Sequence, residues 1–163
     1  MRQELFIPND VKEMTEKYMV DKGGICGQSC LAVIEKQPIS KVIKDWKEME
    51  LEWKGWSGWR QLANYLKNKK FNVKQSRVID DKNVSYIARV QWIGDEENKE
   101  KPYYGWKSWF EASANTHFIV IQEDSFFCNE ECIWLPIDGE EYSLEGYLKH
   151  NQGLITSYLK IWE

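Results

Sequence analysis

The hydrophobic pattern of this chain changes near residue 70, and that change limits the folds available to it. Before this point apolar residues recur with helical spacing, and after it they alternate in short runs of period two. The pattern predicts helices over about residues 9–18, 26–35, 40–49, 58–67 and 144–149, and strands over about 71–73, 87–92, 117–122, 126–128, 132–135 and 155–161. Helices followed by short strands predict an α+β fold, with a helical half packed on an antiparallel sheet.

Candidate capping residues precede three of the predicted helices. Ser40 and Ser57 each carry a hydroxyl that can accept from the free amides of a first helical turn, and Asn9 or Asp10 offers an acceptor to the first helix. These residues are therefore predicted to mark where the third, fourth and first helices begin.

Length and charge exclude several classes of protein. At 163 residues the chain suits one domain, with a helical half over about 1–70 and a sheet half over about 71–163. The formal net charge of −4 and the lack of a long basic stretch argue against nucleic-acid binding. No apolar run approaches a membrane span and no signal-peptide pattern opens the chain, so we expect a cytoplasmic protein without membrane partners.

Cys26 follows a glycine-containing turn and opens the apolar segment predicted to form the second helix. The free amides and the positive dipole end of a helix N-terminus stabilise a thiolate. His117, at the mouth of a predicted strand, is one of two histidines, and the other, His150, lies in a polar turn. Neutral imidazole can take a thiol proton so that the sulfur attacks an acyl carbon. The sequence therefore predicts a cysteine hydrolase with Cys26 as nucleophile and His117 as base.

The run Cys-Gly-Gln-Ser-Cys-Leu-Ala-Val that begins at Cys26 resembles the nucleophile helix of papain-like cysteine peptidases of the bacterial leader-peptidase, bacteriocin-processing type. Four further segments have counterparts in the same order in such proteins, so the resemblance covers most of the chain after about residue 20. These segments are 38–43, 55–62, 117–120 and 153–159. It implies a papain-like fold, a peptide or protein substrate, an acyl-enzyme, and Cys26 as the nucleophile. In papain's own motif the second cysteine reacts, which leaves Cys30, one helical turn later, as the alternative.

A catalytic histidine needs a third group that accepts from its far N–H and so orients the ring. The strand that begins at His117 turns at residues 123–125, and a tight hairpin returns Asn129 to the strand start, where related sequences carry an aspartate. Asp138, after the next predicted strand, is the competing candidate. Asn129 is slightly favoured.

The oxyanion hole of this family takes a glutamine side chain upstream of the nucleophile together with a backbone amide. Residues 20–25 contain no glutamine. Gln3 could serve if residues 6–22 loop away, and Gln28 is the local alternative.

Residues 94–115 form a long stretch, first polar and then aromatic, directly before the histidine strand. Loops of this length in compact domains are usually functional or disordered. We interpret this segment as a substrate-binding flap with Trp106 and Trp109 as contact residues, and we expect some of the nine tryptophans to pack in the core and between helices.

Two other functions fit parts of the pattern. Cys26 and Cys30, with Cys128 and Cys132, form two pairs that could hold zinc in a non-catalytic binding module, although the three-residue gaps exceed the usual spacing. A papain-like site could also deamidate, or transfer an amide of, a protein side chain, because an amine can replace water at the thioester. The hydrolase hypothesis requires no metal and no cofactor.

Overall fold

A computed structural model describes residues 5–19, 25–52, 58–139 and 141–163. Its helices are α1 (Val11–Met19), α2 (Cys26–Glu35), α3 (Ile39–Glu48), α4 (Trp59–Asn68), α5 (Trp109–Ala114) and α6 (Leu144–His150). Its strands are β1 (Asn72–Ser76), β2 (Ser85–Trp92), β3 (Thr116–Gln122), β4 (Ser125–Cys128), β5 (Ile133–Pro136) and β6 (Gly153–Trp162). The six strands form one sheet in the order β1-β6-β2-β3-β4-β5, and every pairing is antiparallel. The α+β prediction, with helices first and an antiparallel sheet after them, is confirmed.

Side chains of β3 alternate between two cores because successive residues of a strand point to opposite faces. Phe118 and Val120 join the core that the sheet shares with α2, α3 and α4, whereas Ile119 and Ile121 join a second core with Leu144 of α6. A strand buried on both faces shows a continuous apolar run, which explains the Phe-Ile-Val-Ile sequence here.

The α2 helix is buried along nearly its whole length and packs on β3. Its apolar second half, which contains Leu31, Val33 and Ile34, supplies much of the first core. The helix ends at Glu35. Its C-cap, Lys36, has a left-handed conformation (φ 57°) that allows the amide of Gln37 to bond back to the helix, and Pro38 follows. The motif segment is thus a central helix with its cysteine end directed at the sheet.

Helix capping differs from the prediction at the starts of α3 and α4. The carboxylate of Asp10 accepts from the amides of Ile39 at 2.8 Å and Ser40 at 2.9 Å, so Asp10 caps α3 from a distant part of the chain. Ser40 lies inside α3 rather than at its N-cap, which is Pro38. The N-cap of α4 is Gly58, and Ser57, predicted to fill that position, lies outside the described residues.

Segment 94–115 is more ordered than a simple loop. It contains a 3-10 turn at Glu96–Asn98 and the unpredicted helix α5, and the amide of Gly94 donates to the carbonyl of Tyr104, which closes the first half of the segment into a loop. Gly105 has φ +86°, and a Cβ there would meet the carbonyl oxygen of Asp95 at 2.7 Å, so a glycine is required. The segment therefore has a defined position beside the sheet.

Candidate active site

Cys26 is the first residue of α2, and its side chain is partly exposed. The side chain packs against the core that contains Phe118 of β3. Burial raises the pKa of the Cys26 thiol above its ordinary value, while the nearby backbone amides of Phe118 and Gly27 lower it. The resting thiol is therefore protonated near neutral pH and needs a base before it can react.

His117 is the second residue of β3 and is buried. Its imidazole ring stacks on Trp92 with ring centroids 6.0 Å apart, and its Nε2 atom lies 3.1 Å from the Sγ atom of Cys128. Burial lowers the pKa of His117 to about 4, because the charged imidazolium loses its hydration. The ring is therefore neutral at pH 7, which is the form that accepts a proton.

Cys128 is the residue that the sequence reasoning missed. Besides His117, its thiol contacts the hydroxyl of Tyr147 at 3.8 Å, and the backbone amides of Glu130 and Glu131 face it across the turn after β4. Burial raises the pKa of Cys128 to about 11 although these neighbours lower it, so the thiol is neutral. His117 is thus held by a neutral thiol and not by a carboxylate.

The hairpin register explains why Cys128 and not Asn129 meets His117. Gln122 pairs with Ser125 and Val120 with Phe127, so Cys128 lies diagonally across from His117 on the same face of the sheet. Asn129, one residue later, faces the other way, and its Nδ2 donates to Thr15 of α1 at 3.2 Å. Its Oδ1 is buried and has no hydrogen-bond partner among the described residues.

The other predicted orienting group lies elsewhere. Asp138 is exposed in the loop after β5. No hydrogen bond or ion pair connects its carboxylate to His117 in the described part of the chain.

Cys26 and His117 approach the same end of β3 from different directions. The Cys26 thiol lies near the amide of Phe118, the residue directly after His117. In the described residues no hydrogen bond joins this thiol to the imidazole, whose Nε2 contacts Cys128. The Nδ1 atom is therefore the ring nitrogen that is left for a thiol or a substrate.

Cys30 differs from Cys26 in its environment. Cys30 is only 2% exposed, whereas Cys26 is partly exposed. The Cys30 side chain belongs to the core between the sheet and α2, α3 and α4. Burial raises the pKa of Cys30 well above its usual value, and the nearby sulfurs of Cys26 and Cys128 add to that rise. Reaction at Cys30 would require the core to open.

Of the two predicted oxyanion glutamines, only Gln28 falls in the described residues, and Gln3 lies outside them. Gln28 is 1% exposed on the first turn of α2, and its Nε2 has no hydrogen-bond partner in the part of the chain described. An unpaired buried donor is costly, so such a group is usually paired by water or a ligand.

The two predicted substrate-contact tryptophans have different surroundings. The indole N–H of Trp106 donates to the carbonyl of Trp92 at 2.8 Å, and Trp92 in turn stacks on His117. Trp109 is 58% exposed and lines a pocket of about 800 Å³. Trp106 therefore supports the neighbour of the histidine, while Trp109 is open to a ligand.

The zinc hypothesis finds no arranged ligand set where the structure describes the chain. All four cysteines are free thiols there. No group of three or more His, Cys, Asp or Glu side chains in the described ranges is arranged to hold a metal ion. Cys132 instead donates to the carbonyl oxygen of Asn129 at 3.2 Å, within the turn after β4.

A scan against protein-family models, a search of curated proteins and a search of solved structures each returned no match. Among the helices described, none has both the length and the apolar character needed to cross a membrane.

Proposed function

We propose that this chain is a papain-like cysteine hydrolase that cleaves a peptide or amide bond. The observation that carries the proposal is the placement of a partly exposed thiol, Cys26, at the start of the central helix and near the backbone of Phe118, the residue that follows the neutral His117 in β3. A nucleophile and a base brought by different elements to one strand end are the minimum set for acyl transfer.

In the proposed first step, Nδ1 of His117 takes the proton of the Cys26 thiol while the sulfur attacks the carbonyl carbon. The C=O π electrons move to oxygen, and the resulting oxyanion accepts from the amide at Cys26 and from the unpaired Nε2 of Gln28. Collapse of this intermediate expels the amine, which takes the proton from the imidazolium. Water then attacks the thioester with His117 again as base, and the acid product and the free thiol are released.

We propose that Cys128 performs the orienting role that the sequence assigned to Asn129 or Asp138. With its Nε2 held at 3.1 Å by Cys128, the ring can present Nδ1 to Cys26. A neutral thiol orients the ring but stabilises the imidazolium less than a carboxylate does.

The four free thiols suit a reducing compartment, and we propose a cytoplasmic location for that reason.

Thiol alkylation followed by intact-mass measurement tests this proposal before any substrate is known. We expect Cys26 to react fastest with iodoacetamide at neutral pH, because it combines partial exposure with a position at a helix start and, in this proposal, with His117 as its base. Cys26→Ala should abolish the fast adduct, His117→Ala should slow it, and the matched control Cys30→Ala should leave it unchanged.

Equal, slow alkylation of all four cysteines in the native protein would overturn the hydrolase proposal. Fast alkylation that persists in Cys26→Ala and disappears in Cys30→Ala would transfer the nucleophile by one helical turn.

A further inference from the structure

A second site lies on the α2-facing side of the sheet, in the pocket of about 800 Å³ beside Trp109. It lies between β1, β2, β6 and the 94–115 segment, and its lining includes Arg77, Arg89, Gln91, Trp109 and Ser157. None of the described residues that line it is acidic. Because the chain as a whole carries a formal charge of −4, this positive charge is a local feature.

Arg89 is the notable residue of this pocket. It lies on β2, an interior strand of the sheet, and is only partly exposed. Its guanidinium lies over the ring of Trp109, 5.7 Å from the centroid. Among the described residues no carboxylate pairs with this group and no acceptor takes its hydrogen bonds, and burial lowers its pKa. A guanidinium has five N–H donors, and leaving them without acceptors in a partly buried position costs free energy. Their planar arrangement matches the geometry of a planar anion such as a carboxylate.

The sheet register places this pocket next to the candidate active site. Arg89 lies directly opposite Phe118 of β3, so both side chains occupy the same face of the sheet. Phe118 is also the residue whose amide lies near the Cys26 thiol. Trp59 stands between the two sites, with its ring 4.9 Å from that of Phe118 and its indole N–H bonded to Ser157 at 2.8 Å. One strand spacing, roughly 5 Å, therefore separates Arg89 from the strand that carries His117.

We propose that the Arg89 pocket binds the carboxylate of an acidic residue in the peptide substrate, with Trp109 covering the aliphatic part of that side chain. Calling the ligand a substrate rests on the proposed hydrolase function, whereas carboxylate binding itself does not require catalysis. Arginine pairs with a carboxylate through two parallel hydrogen bonds, and an exposed aromatic ring beside it excludes water from that pair.

The test uses the Cys26→Ala variant, so that no peptide is consumed, and two probes, acetyl-Ala-Glu-Ala-amide and acetyl-Ala-Gln-Ala-amide. Binding is followed by the indole N–H signal of Trp109 in ¹H–¹⁵N spectra, assigned with Trp109→Phe. We expect the Glu peptide to bind about 10- to 100-fold tighter than the Gln peptide, the range expected for a charged hydrogen-bonded pair. Adding Arg89→Gln should remove this preference, whereas the exposed control Arg60→Gln should keep it.

Equal binding of the two peptides, or a preference that survives Arg89→Gln, would overturn the proposal. Tighter binding of inorganic phosphate than of the Glu peptide would overturn the carboxylate assignment. If Arg89→Gln fails to fold, Arg89→Lys replaces it, because lysine keeps the charge but cannot form two parallel hydrogen bonds. A preference for the Glu peptide that is smaller than in the parent protein and is weakened further by NaCl would support the site. An unchanged preference would contradict it. A Glu preference in a protein whose Cys26 does not react would support the carboxylate site and overturn the hydrolase proposal.

Discussion

The Nε2 atom of His117 lies 3.1 Å from the Sγ atom of Cys128, and this contact leaves Nδ1 as the ring nitrogen without a partner among the described residues. An imidazole has two nitrogens, and a partner at one of them sets the role of the other. The Cys128 thiol also contacts the Tyr147 hydroxyl and two backbone amides, and these contacts hold its side chain beside the ring. The candidate site therefore depends on a residue outside the recognisable cysteine motif.

Replacing Cys128 should slow alkylation of Cys26. Cys128→Ala removes the contact that orients the His117 ring, and we expect a rate about 10- to 100-fold lower, the size of effect that a small misplacement produces. The same iodoacetamide assay measures it, with circular dichroism as a check on the fold. Asn129→Ala and Asp138→Ala are the matched variants and should leave the rate unchanged. A rate lost in Asn129→Ala and kept in Cys128→Ala would return the orienting role to Asn129.

Acidification should destabilise the fold through His117. Its pKa is lowered from the usual 6.5 to about 4 in the folded chain, so the unfolded chain binds more protons between these values and stability rises with pH there. The stability associated with neutral His117 is fully present above pH 6.5 and is lost as pH falls toward 4. The lowering of its pKa corresponds to a change of about 3 kcal/mol in the free energy of unfolding.

Urea unfolding between pH 7 and about pH 5 measures the His117 effect before most carboxylates titrate. His117→Gln should flatten the pH dependence in that range. His150→Gln, at an exposed position, should keep it. An equally steep dependence in His117→Gln would show that other groups carry the effect.

Lys69 should stabilise the helical half by neutralising two carboxylates. Its Nζ lies 2.6 Å from Asp45 and 3.6 Å from Glu35, both of which have little exposed side chain. Burial raises the pKa of Asp45, but Lys41 and Lys69 lower it by more, so the net shift is downward. The stability that this ion pair contributes is therefore present above the ordinary pKa of 3.8 and is lost as pH falls below that value. Lys69→Met should reduce the free energy of unfolding by about 1–3 kcal/mol at pH 7.

Lys82→Met provides the control for Lys69→Met, because Lys82 and Asp124 form an ion pair with both side chains 78% exposed. Exposed pairs contribute little, so we expect a change within about 0.5 kcal/mol. Equal losses in the two variants by urea unfolding would contradict a special role for Lys69.

Asp10 and Ser40 distinguish local from tertiary capping. Asp10→Ala should cost about 1 kcal/mol of stability, because the carboxylate caps α3 through the amides of Ile39 and Ser40. Ser40→Ala should have almost no effect, since Ser40 is already inside the helix. Urea unfolding of the two variants under one condition decides between these positions, and a larger loss in Ser40→Ala would favour capping by Ser40.

Periodicity was sufficient for the elements of the fold. Each of the six predicted strands is present, and the helices at 9–18, 26–35, 40–49, 58–67 and 144–149 appear with ends shifted by at most a few residues. Helix α5 was missed because it has six residues, although Ser108 accepts from the amide of Glu111 and these two residues form a recognisable start signal. Local patterns of this kind are visible in sequence because neighbouring residues generate them.

The sequence by itself determined the α+β class, the central helix that starts at Cys26, and the strand that carries His117, since each depends on residues close together in the chain. Only the tertiary structure decided which side chains meet. Successive residues of a strand point to opposite faces of the sheet, so Cys128 and Asn129 lie on opposite faces. A shift of one residue in the pairing of β3 and β4 would exchange which of the two contacts His117. Likewise Asp10 caps a helix that begins 29 residues later, and Arg89 shares a pocket with Trp109 from another segment. Such contacts arise from packing between distant segments, which no local pattern records.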